Sequence, residues 1–245
     1  MQVLERDQAP ARPQPAESLP DKPARASGVP PRTAPALSAQ PFPAATRSVP
    51  SLLVRDLAPH LKDKGMSIPN KGDITIVQLA VSHLPAGNGP KFSSDGHFRD
   101  DACSALEAAA YASAKAARYD PRYLAVALTL PVGFTVLQGV QVDGPSAGVA
   151  WAVAIVSAML GDPLRSDVCL SGTMGLDLKV GWVNGLEHKI DGCHMLREFH
   201  ELLLPAGQNT FTVMDKGMAR SIKITEIATL AEAYQIMTGQ PLRPL

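Results

Sequence analysis

Residues 142–153, VDGPSAGVAWAV, join a turn signal to a run of small and apolar side chains. Asp, Gly and Pro in succession are typical of a tight turn, and the residues that follow predict an apolar helix over 147–160, closed by Gly161 and Pro163. Ser146 stands where the turn meets the helix. This position has two interpretations: a helix cap, which contributes about 1 kcal/mol, or a nucleophile beside backbone N–H groups that stabilise an oxyanion.

A serine nucleophile needs a base, and the sequence offers Lys189 as the candidate. It lies in VNGLEHKIDG (183–192), a second glycine-bearing turn, which leads into a predicted helix over 187–199. A lysine acts as a base only when it is neutral, and at pH 7 this requires its pKa to fall by about three units from about 10.4. Burial among apolar side chains can lower a lysine pKa by that much. We therefore expect Lys189 to be buried if it serves Ser146.

The chain has two regions of different composition. Residues 1–50 hold 11 of the 22 prolines and show no apolar periodicity, which predicts a disordered Pro/Ala-rich tail. Strand-like and helical patterns are mixed over residues 51–245, so we expect one domain there, of the α+β (mixed α/β) class.

Hydrophobic periodicity predicts the remaining elements of this domain. Further helices are predicted over 51–65, 100–120 and 230–239. Strands are predicted over 72–84, 122–130, 133–142, 167–174, 178–183, 201–207 and 221–227. The segment GNGPKFSSDG (87–96) is predicted as a loop, and Trp151 and Trp182 are predicted as core residues.

Charge and composition exclude several classes of function. The 23 basic and 23 acidic residues balance, which does not favour binding to nucleic acid or to an anionic membrane. The first residues have no apolar signal-peptide core and the run 147–160 is too short to span a bilayer, so we expect a cytoplasmic protein. Cys103, Cys169 and Cys193 have no CxxC spacing and are predicted to be reduced, buried residues. We predict no metal site and no cofactor.

Four segments in order resemble the proteolytic domain of the Lon family of ATP-dependent serine proteases. They are DGPSAG (143–148), LSGTM (170–174), NGLEHK (184–189) and LLLPAGQN (202–209). Ser146 and Lys189 are 43 positions apart, which is the spacing of nucleophile and base in that family. The resemblance covers roughly residues 72–240. It implies the Lon proteolytic-domain fold, with Ser146 as nucleophile and Lys189 as general base.

The chain departs from the family pattern near these motifs. Ser171 stands where the family has a threonine, and the resemblance implies that its hydroxyl accepts a hydrogen bond from Lys189 or orients it. Asp143 is either a turn residue or a partner of Lys189 in an inactive resting state. The sequence contains no G-x-x-x-x-G-K-[ST] motif, so we expect no ATP hydrolysis by that route.

The resemblance implies a serine endopeptidase that hydrolyses unfolded or flexible polypeptides. The missing nucleotide-binding motif leads us to expect that it works without ATP by itself. Family members form six-membered rings, which implies a homo-oligomer. Two alternatives stay open: a proteolytic subunit that a separate ATPase serves, and a non-catalytic assembly or binding module of the same fold. An ATP-binding small-molecule kinase of a related fold is disfavoured, because GPSAG is not the Gly-x-Ser-Ser-Ala loop that such a kinase needs.

Overall fold

The computed structural model describes residues 36–54, 63, 65, 71–131 and 142–245, which belong to the folded unit Ala36–Leu245. The strands are β1 (Ala45–Val54), β2 (Gly72–His83), β3 (Lys91–Ser94), β4 (Leu124–Thr129), β5 (Val168–Leu170), β6 (Thr173–Met174), β7 (Val180–Gly181), β8 (Glu201–Pro205) and β9 (Lys223–Ile227). The helices are α1 (Asp100–Ala116), α2 (Gly148–Leu160), α3 (Leu186–Met195), α4 (Phe211–Ala219) and α5 (Leu230–Thr238), with a 3₁₀ turn at Pro121–Tyr123. This is the expected mixture of strands and helices.

Three sheets form the framework. The largest has the strand order β1-β2-β4-β3, in which β3 runs parallel to β4 and the other two pairs are antiparallel. The second, β5-β8-β9, is parallel. A short antiparallel pair, β6-β7, follows β5. Helix α3 follows β7 and packs mainly against β1 and β2.

Helix α2 is the centre of the core. Every residue from Gly148 to Met159 is buried, as the run of small and apolar residues predicts. Trp151 is fully buried, and its indole N–H donates to the hydroxyl of Ser51 on β1. The polar end of the ring therefore has a partner, while its body fills the space between α2 and the sheet.

The structure corrects the start of the domain. Residues 45–50, predicted as tail, belong to β1, and residues 51–54, predicted as helix, complete that strand. β1 is an edge strand that pairs along its whole length with β2 and buries Val49. An edge strand tolerates Pro50, because only one of its sides needs backbone donors. The rest of the helix predicted over 51–65 lies outside the described residues, apart from positions 63 and 65, and so does the tail up to residue 35.

Two local predictions also differ from the structure. Residues 91–94, predicted within a loop, form β3, since they pair with β4 despite their polar side chains. Trp182, predicted as a core residue, is 69% exposed. It directly follows β7, a strand of two residues that is too short to carry it into the core. The strand predicted over 133–142 lies outside the described residues except for Val142.

Two features are absent from the described residues. Among the helices of these residues, none is long and apolar enough to cross a bilayer. Within the same part of the chain, no three His, Cys, Asp or Glu side chains are grouped as a metal ion would require.

Candidate active site

A tight turn presents Ser146 at the start of α2. The carboxylate of Asp143 accepts a hydrogen bond of 2.8 Å from the N–H of Gly144, whose φ of 87° only glycine adopts readily. The residue that caps α2 is Ala147, and no side chain caps this helix. The hydroxyl of Ser146 is therefore not used as a helix cap, which was the first of its two interpretations.

The backbone of Ser146 is held in place by the segment after β5. Its carbonyl oxygen accepts a hydrogen bond of 2.8 Å from the N–H of Gly172 and one of 3.2 Å from the hydroxyl of Ser171. Ser171 itself is 1% exposed. Two donors on one oxygen fix the position of Ser146 relative to this segment.

Lys189 lies on α3 with its amine directed at Ser146. Its Nζ is 2.8 Å from Oγ of Ser146 and 3.1 Å from the carbonyl oxygen of Leu52 on β1. The side chain is 3% exposed, whereas Ser146 is half-buried. Burial lowers the pKa of Lys189 from 10.5 to about 8. The neutral amine is therefore far more accessible near neutral pH than that of a solvated lysine.

Close packing against β2 fixes how deeply α3 lies in the domain. A side chain at Gly192 would overlap the backbone of Asp73 on β2, and a side chain at Gly72 would overlap the carbonyl of His188. The absence of both side chains allows the helix backbone to lie directly against the start of β2. Lys189 is thereby carried deep enough to reach β1.

Ion pairs hold the other side of α3. The buried carboxylate of Asp191 accepts from Lys216 at 2.8 Å and from Arg220 at 2.9 Å, at the end of α4. These two cations hold the pKa of Asp191 below its ordinary value, although burial acts in the opposite direction. The helix that carries Lys189 is thus anchored to β2 on one side and to α4 on the other.

The structure brings some of the four residues predicted for the site together, but not all of them. Ser146 and Lys189 are in direct contact. Ser171 is next to them, but its hydroxyl donates to the carbonyl of Ser146 rather than bonding to Lys189. Asp143 is exposed and forms the turn with Gly144; it makes no ion pair with Lys189, and the structure describes both residues.

Sequence reasoning missed the carbonyl of Leu52 as a partner of Lys189. A main-chain carbonyl oxygen has no sequence motif, and only the pairing of β1 with β2 could have indicated which way this carbonyl points.

The prediction that the cysteines are reduced was also wrong, because Cys169 on β5 and Cys193 on α3 form a disulfide, with 6.2 Å between their Cα atoms. The folded chain brings together two residues that are 24 positions apart and share no spacing motif. Cys103 is free and partly buried.

The chain is similar to known proteins over most of its folded part. The family model of the Lon protease (S16) C-terminal proteolytic domain matches residues 70–238. The chain is 31% identical over 105 residues to Lon protease 2 of Sorangium cellulosum, an alignment that covers 43% of this chain and 13% of that protein. It is 48% identical over 64 residues to Lon protease 1 of the same organism, covering 26% of this chain and 8% of the relative. It is 31% identical over 143 residues to the Lon protease of Xanthomonas oryzae pv. oryzae, covering 54% of this chain and 17% of the relative.

Each of these alignments covers less than a fifth of the relative's own length. The family model, by contrast, covers well over half of this chain and includes both Ser146 and Lys189. The chain therefore belongs to the family of Lon protease (S16) C-terminal proteolytic domains.

Proposed function

We propose that this protein is a serine endopeptidase in which Ser146 is the nucleophile and Lys189 is the general base. The observation that carries the proposal is the 2.8 Å contact between Nζ of the buried lysine and Oγ of the serine. A nucleophile and a base within hydrogen-bond reach are what acyl transfer to a serine requires. Family membership supports the same reaction class.

In the proposed reaction, the neutral amine of Lys189 removes the proton of Ser146 while Oγ attacks a peptide carbonyl. The ammonium then returns this proton to the leaving amine, and an acyl-enzyme is left on Oγ. Lys189 next takes a proton from water, which hydrolyses the ester and releases Ser146. The low pKa of Lys189 allows both transfers near neutral pH.

The carbonyl of Leu52 gives the amine its orientation. A neutral lysine amine has two N–H donors and one lone pair, and the lone pair has to face the hydroxyl of Ser146 for proton removal. An N–H that donates to Leu52, at 3.1 Å, turns the lone pair towards Ser146. It also gives the buried amine a partner when Ser146 carries the acyl group.

The start of α2 supplies the donors for the oxyanion. Among the described residues, no acceptor takes the backbone N–H of Ser146 or of Ala147. Both groups stand at the positive end of the helix dipole. Donors of this kind, aimed at the developing negative charge, lower the barrier of acyl transfer by about 3 kcal/mol each.

For the substrate, we propose unfolded or flexible polypeptide segments, because a peptide has to bring its backbone carbonyl against a half-buried serine. We further propose that the chain works as a homo-oligomeric ring and that peptide hydrolysis needs no ATP. A separate ATPase that delivers folded substrates is the competing possibility. Since the alignments cover so little of the relatives, these features are proposed for this chain and not transferred from them.

A serine-reactive acylating probe tests the chemistry directly. The probe should label the wild-type protein at Ser146, as located by mass spectrometry, and should not label Ser146→Ala. Cleavage of an unstructured peptide and of a stably folded reporter, with and without ATP, tests the rest. Peptide cleavage without ATP is the expected result. ATP-dependent degradation of the folded reporter that appears only with cell extract would favour the separate ATPase, and a protein without labelling or cleavage would be a non-catalytic module.

A further inference from the structure

The disulfide between Cys169 and Cys193 links the two segments that carry the site. Cys169 on β5 comes two residues before Ser171, whose hydroxyl holds the carbonyl of Ser146. Cys193 comes four residues after Lys189 on α3, and residues with this spacing lie on the same face of a helix. The disulfide thus connects the segment that holds the proposed nucleophile, through β5, with the helix that carries the proposed base.

The disulfide lies on the side of α3 that is held by apolar packing and not by polar contacts. Gly192 fixes the helix against β2, and Asp191 fixes it to α4. Towards β5 and β8, the helix presents Ile190 and Cys193, both fully buried in an apolar cluster with Cys169. A covalent bond in such a cluster resists displacements that apolar contacts permit.

Breaking the bond has a geometric consequence. Disulfide sulfurs are about 2.05 Å apart, whereas non-bonded heavy atoms in contact stay roughly 3.5–4 Å apart. In a close-packed core, reduction therefore separates the two sulfur atoms by about 1.5 Å or more. A misplacement of about 1 Å can lower the rate of an enzyme about 100-fold.

We propose that the Cys169–Cys193 disulfide is a positioning crosslink, which keeps α3 at the depth where Lys189 meets Ser146, and that its reduction lowers turnover. This inference rests on the proposed function of the dyad. Reduction by a dithiol such as dithiothreitol proceeds through two thiol–disulfide exchanges. The reagent gives up two electrons and two protons and leaves as its cyclic disulfide, while each cysteine gains one electron and one proton.

The first test compares the oxidised and reduced protein. The redox state of Cys169 and Cys193 is read by alkylation in denaturant followed by mass spectrometry, because both residues are buried. We expect reduction with dithiothreitol to lower kcat for an unstructured peptide about tenfold or more, with KM changed less than about twofold. The oxidised form should be restored by oxidised glutathione, a disulfide that accepts the two electrons.

The second test uses variants. Cys169→Ala, Cys193→Ala and the double variant should all have the kcat of the reduced wild type, because each removes the same bond. Independent packing effects would instead add in the double variant. None of the three should respond to dithiothreitol. Cys103→Ala is the matched control, since Cys103 is free, and it should keep both the activity and the response to reductant.

The third measurement follows the titration of Lys189 by NMR with labelled lysine, and it does not depend on catalysis. Displacement of α3 admits water to the amine, so reduction should raise the pKa of Lys189. Reduction changes the atoms of no charged or titratable group on α3 or on the elements packed against it other than the two cysteines; these groups are Arg47, Asp73, His83, Glu187, His188, Asp191, His194, Glu201, Asp215, Lys216 and Arg220. A role in stability alone would lower the unfolding temperature without moving this pKa.

The outcomes separate the two proposals. Equal kcat and equal Lys189 pKa in the oxidised and reduced forms, or two free thiols in the isolated protein that oxidised glutathione does not join, would overturn the crosslink and leave the peptidase intact. Absence of Ser146 labelling and of cleavage in the oxidised form would overturn the peptidase. The Lys189 pKa would then still decide whether the disulfide positions α3.

Discussion

Nζ of Lys189 lies 2.8 Å from Oγ of Ser146, although the two residues are 43 positions apart in the chain. The lysine is buried while the serine is half-exposed, so the amine lies beneath the hydroxyl. In the proposed reaction, a substrate carbonyl approaches Ser146 from its exposed side.

The first prediction concerns the dyad as a unit. Ser146→Ala and Lys189→Met should each lower kcat/KM for an unstructured peptide by at least about 1,000-fold, and the double variant should be no worse, because each single change already removes the whole proton transfer. Lys189→Arg should be equally inactive, since a guanidinium keeps its proton. Steady-state kinetics provides the measurement. Ser93→Ala and Lys91→Met, on the exposed strand β3, are the controls and should match the wild type; near-normal activity of Lys189→Met would contradict the assignment of the base.

The second prediction is the pH dependence of turnover. Only the neutral form of Lys189 accepts a proton, and its pKa is lowered to about 8 by burial. The logarithm of kcat should therefore rise with pH with a slope near 1 below about pH 8 and level off above it. A rate profile of the wild type and of Lys91→Met between pH 6 and pH 10 checks this. A flat profile across that interval would show that another group limits the reaction.

The third prediction relates the same pKa to stability. The pKa of Lys189 is lower in the folded chain than its ordinary 10.5, so the unfolded chain binds this proton more tightly. The resulting destabilisation is complete below pH 8 and disappears as the pH rises towards 10.5. It amounts to at most about 3.5 kcal/mol, at about 1.4 kcal/mol for each unit of pKa. Lys189→Met should therefore unfold at higher denaturant concentration than the wild type at pH 6.

Two further observations control the stability prediction. The advantage of Lys189→Met should shrink between pH 8 and pH 10.5, because over this range the folded wild type has lost the lysine proton while the unfolded chain still binds it. Lys91→Met removes an exposed lysine and should change the free energy of unfolding by less than about 0.5 kcal/mol at either pH. A destabilised Lys189→Met at pH 6 would mean that the hydrogen bonds of the amine outweigh the cost of its burial.

The fourth prediction distinguishes two roles of Ser171. Its hydroxyl donates to the carbonyl of Ser146, which also receives the N–H of Gly172. Ser171→Ala should therefore cost about 1 kcal/mol of stability and a few-fold in kcat, while the pH profile stays in place. Ser171→Thr, which keeps a hydroxyl, should restore activity. Ser113→Ala is the control, because Ser113 is a buried serine that donates to two carbonyls away from the site. A shifted pH profile in Ser171→Ala would instead support the role that the family resemblance implies, the orientation of Lys189.

The fifth prediction concerns the start of the domain. A chain that begins at Ala36 keeps β1 whole and should unfold within about 2 °C of the full-length protein. A chain that begins at Ser51 loses Arg47, which donates to Ser157 on α2, and the buried side chains of Phe42 and Val49. Its thermal midpoint should fall by on the order of 10 °C. Equal midpoints for the two shortened chains would contradict the structural contribution of residues 36–50.

The contact between Ser146 and Lys189 could be predicted because the motifs around both residues, and their spacing, resemble those of the Lon proteolytic domain; local pattern alone left Ser146 as either a helix cap or a nucleophile. Asp143 to Gly148 is a turn followed by a helix, and the turn before Lys189 leads into a second helix, so both side chains are placed by a few neighbouring residues. The apolar run of α2 likewise predicted a buried helix without any information from the rest of the chain. These are the features for which local pattern and tertiary packing agree.

Features that depend on distant pairing could not be predicted in this way. Proline content assigned residues 45–50 to the tail, because pairing with β2 is not visible in their own composition. The two cysteines carry no spacing motif, and only the packing of α3 on β5 brings them together. Trp182 was assigned to the core by residue type alone, but its short strand leaves it at the surface.

The contact between Lys189 and the carbonyl of Leu52 has a consequence for how this domain can vary. β1 precedes the residues 70–238 that the family model matches, yet it supplies one of the two partners of the buried amine. Because the acceptor is a main-chain oxygen, any residue that preserves the pairing of Leu52 with Ile74 would deliver it. A shift of β1 by one position would turn this oxygen to the opposite side, since consecutive carbonyls of a strand point in opposite directions. Substitutions in β1 are thus limited by its register with β2 and not by the identity of the side chain at position 52.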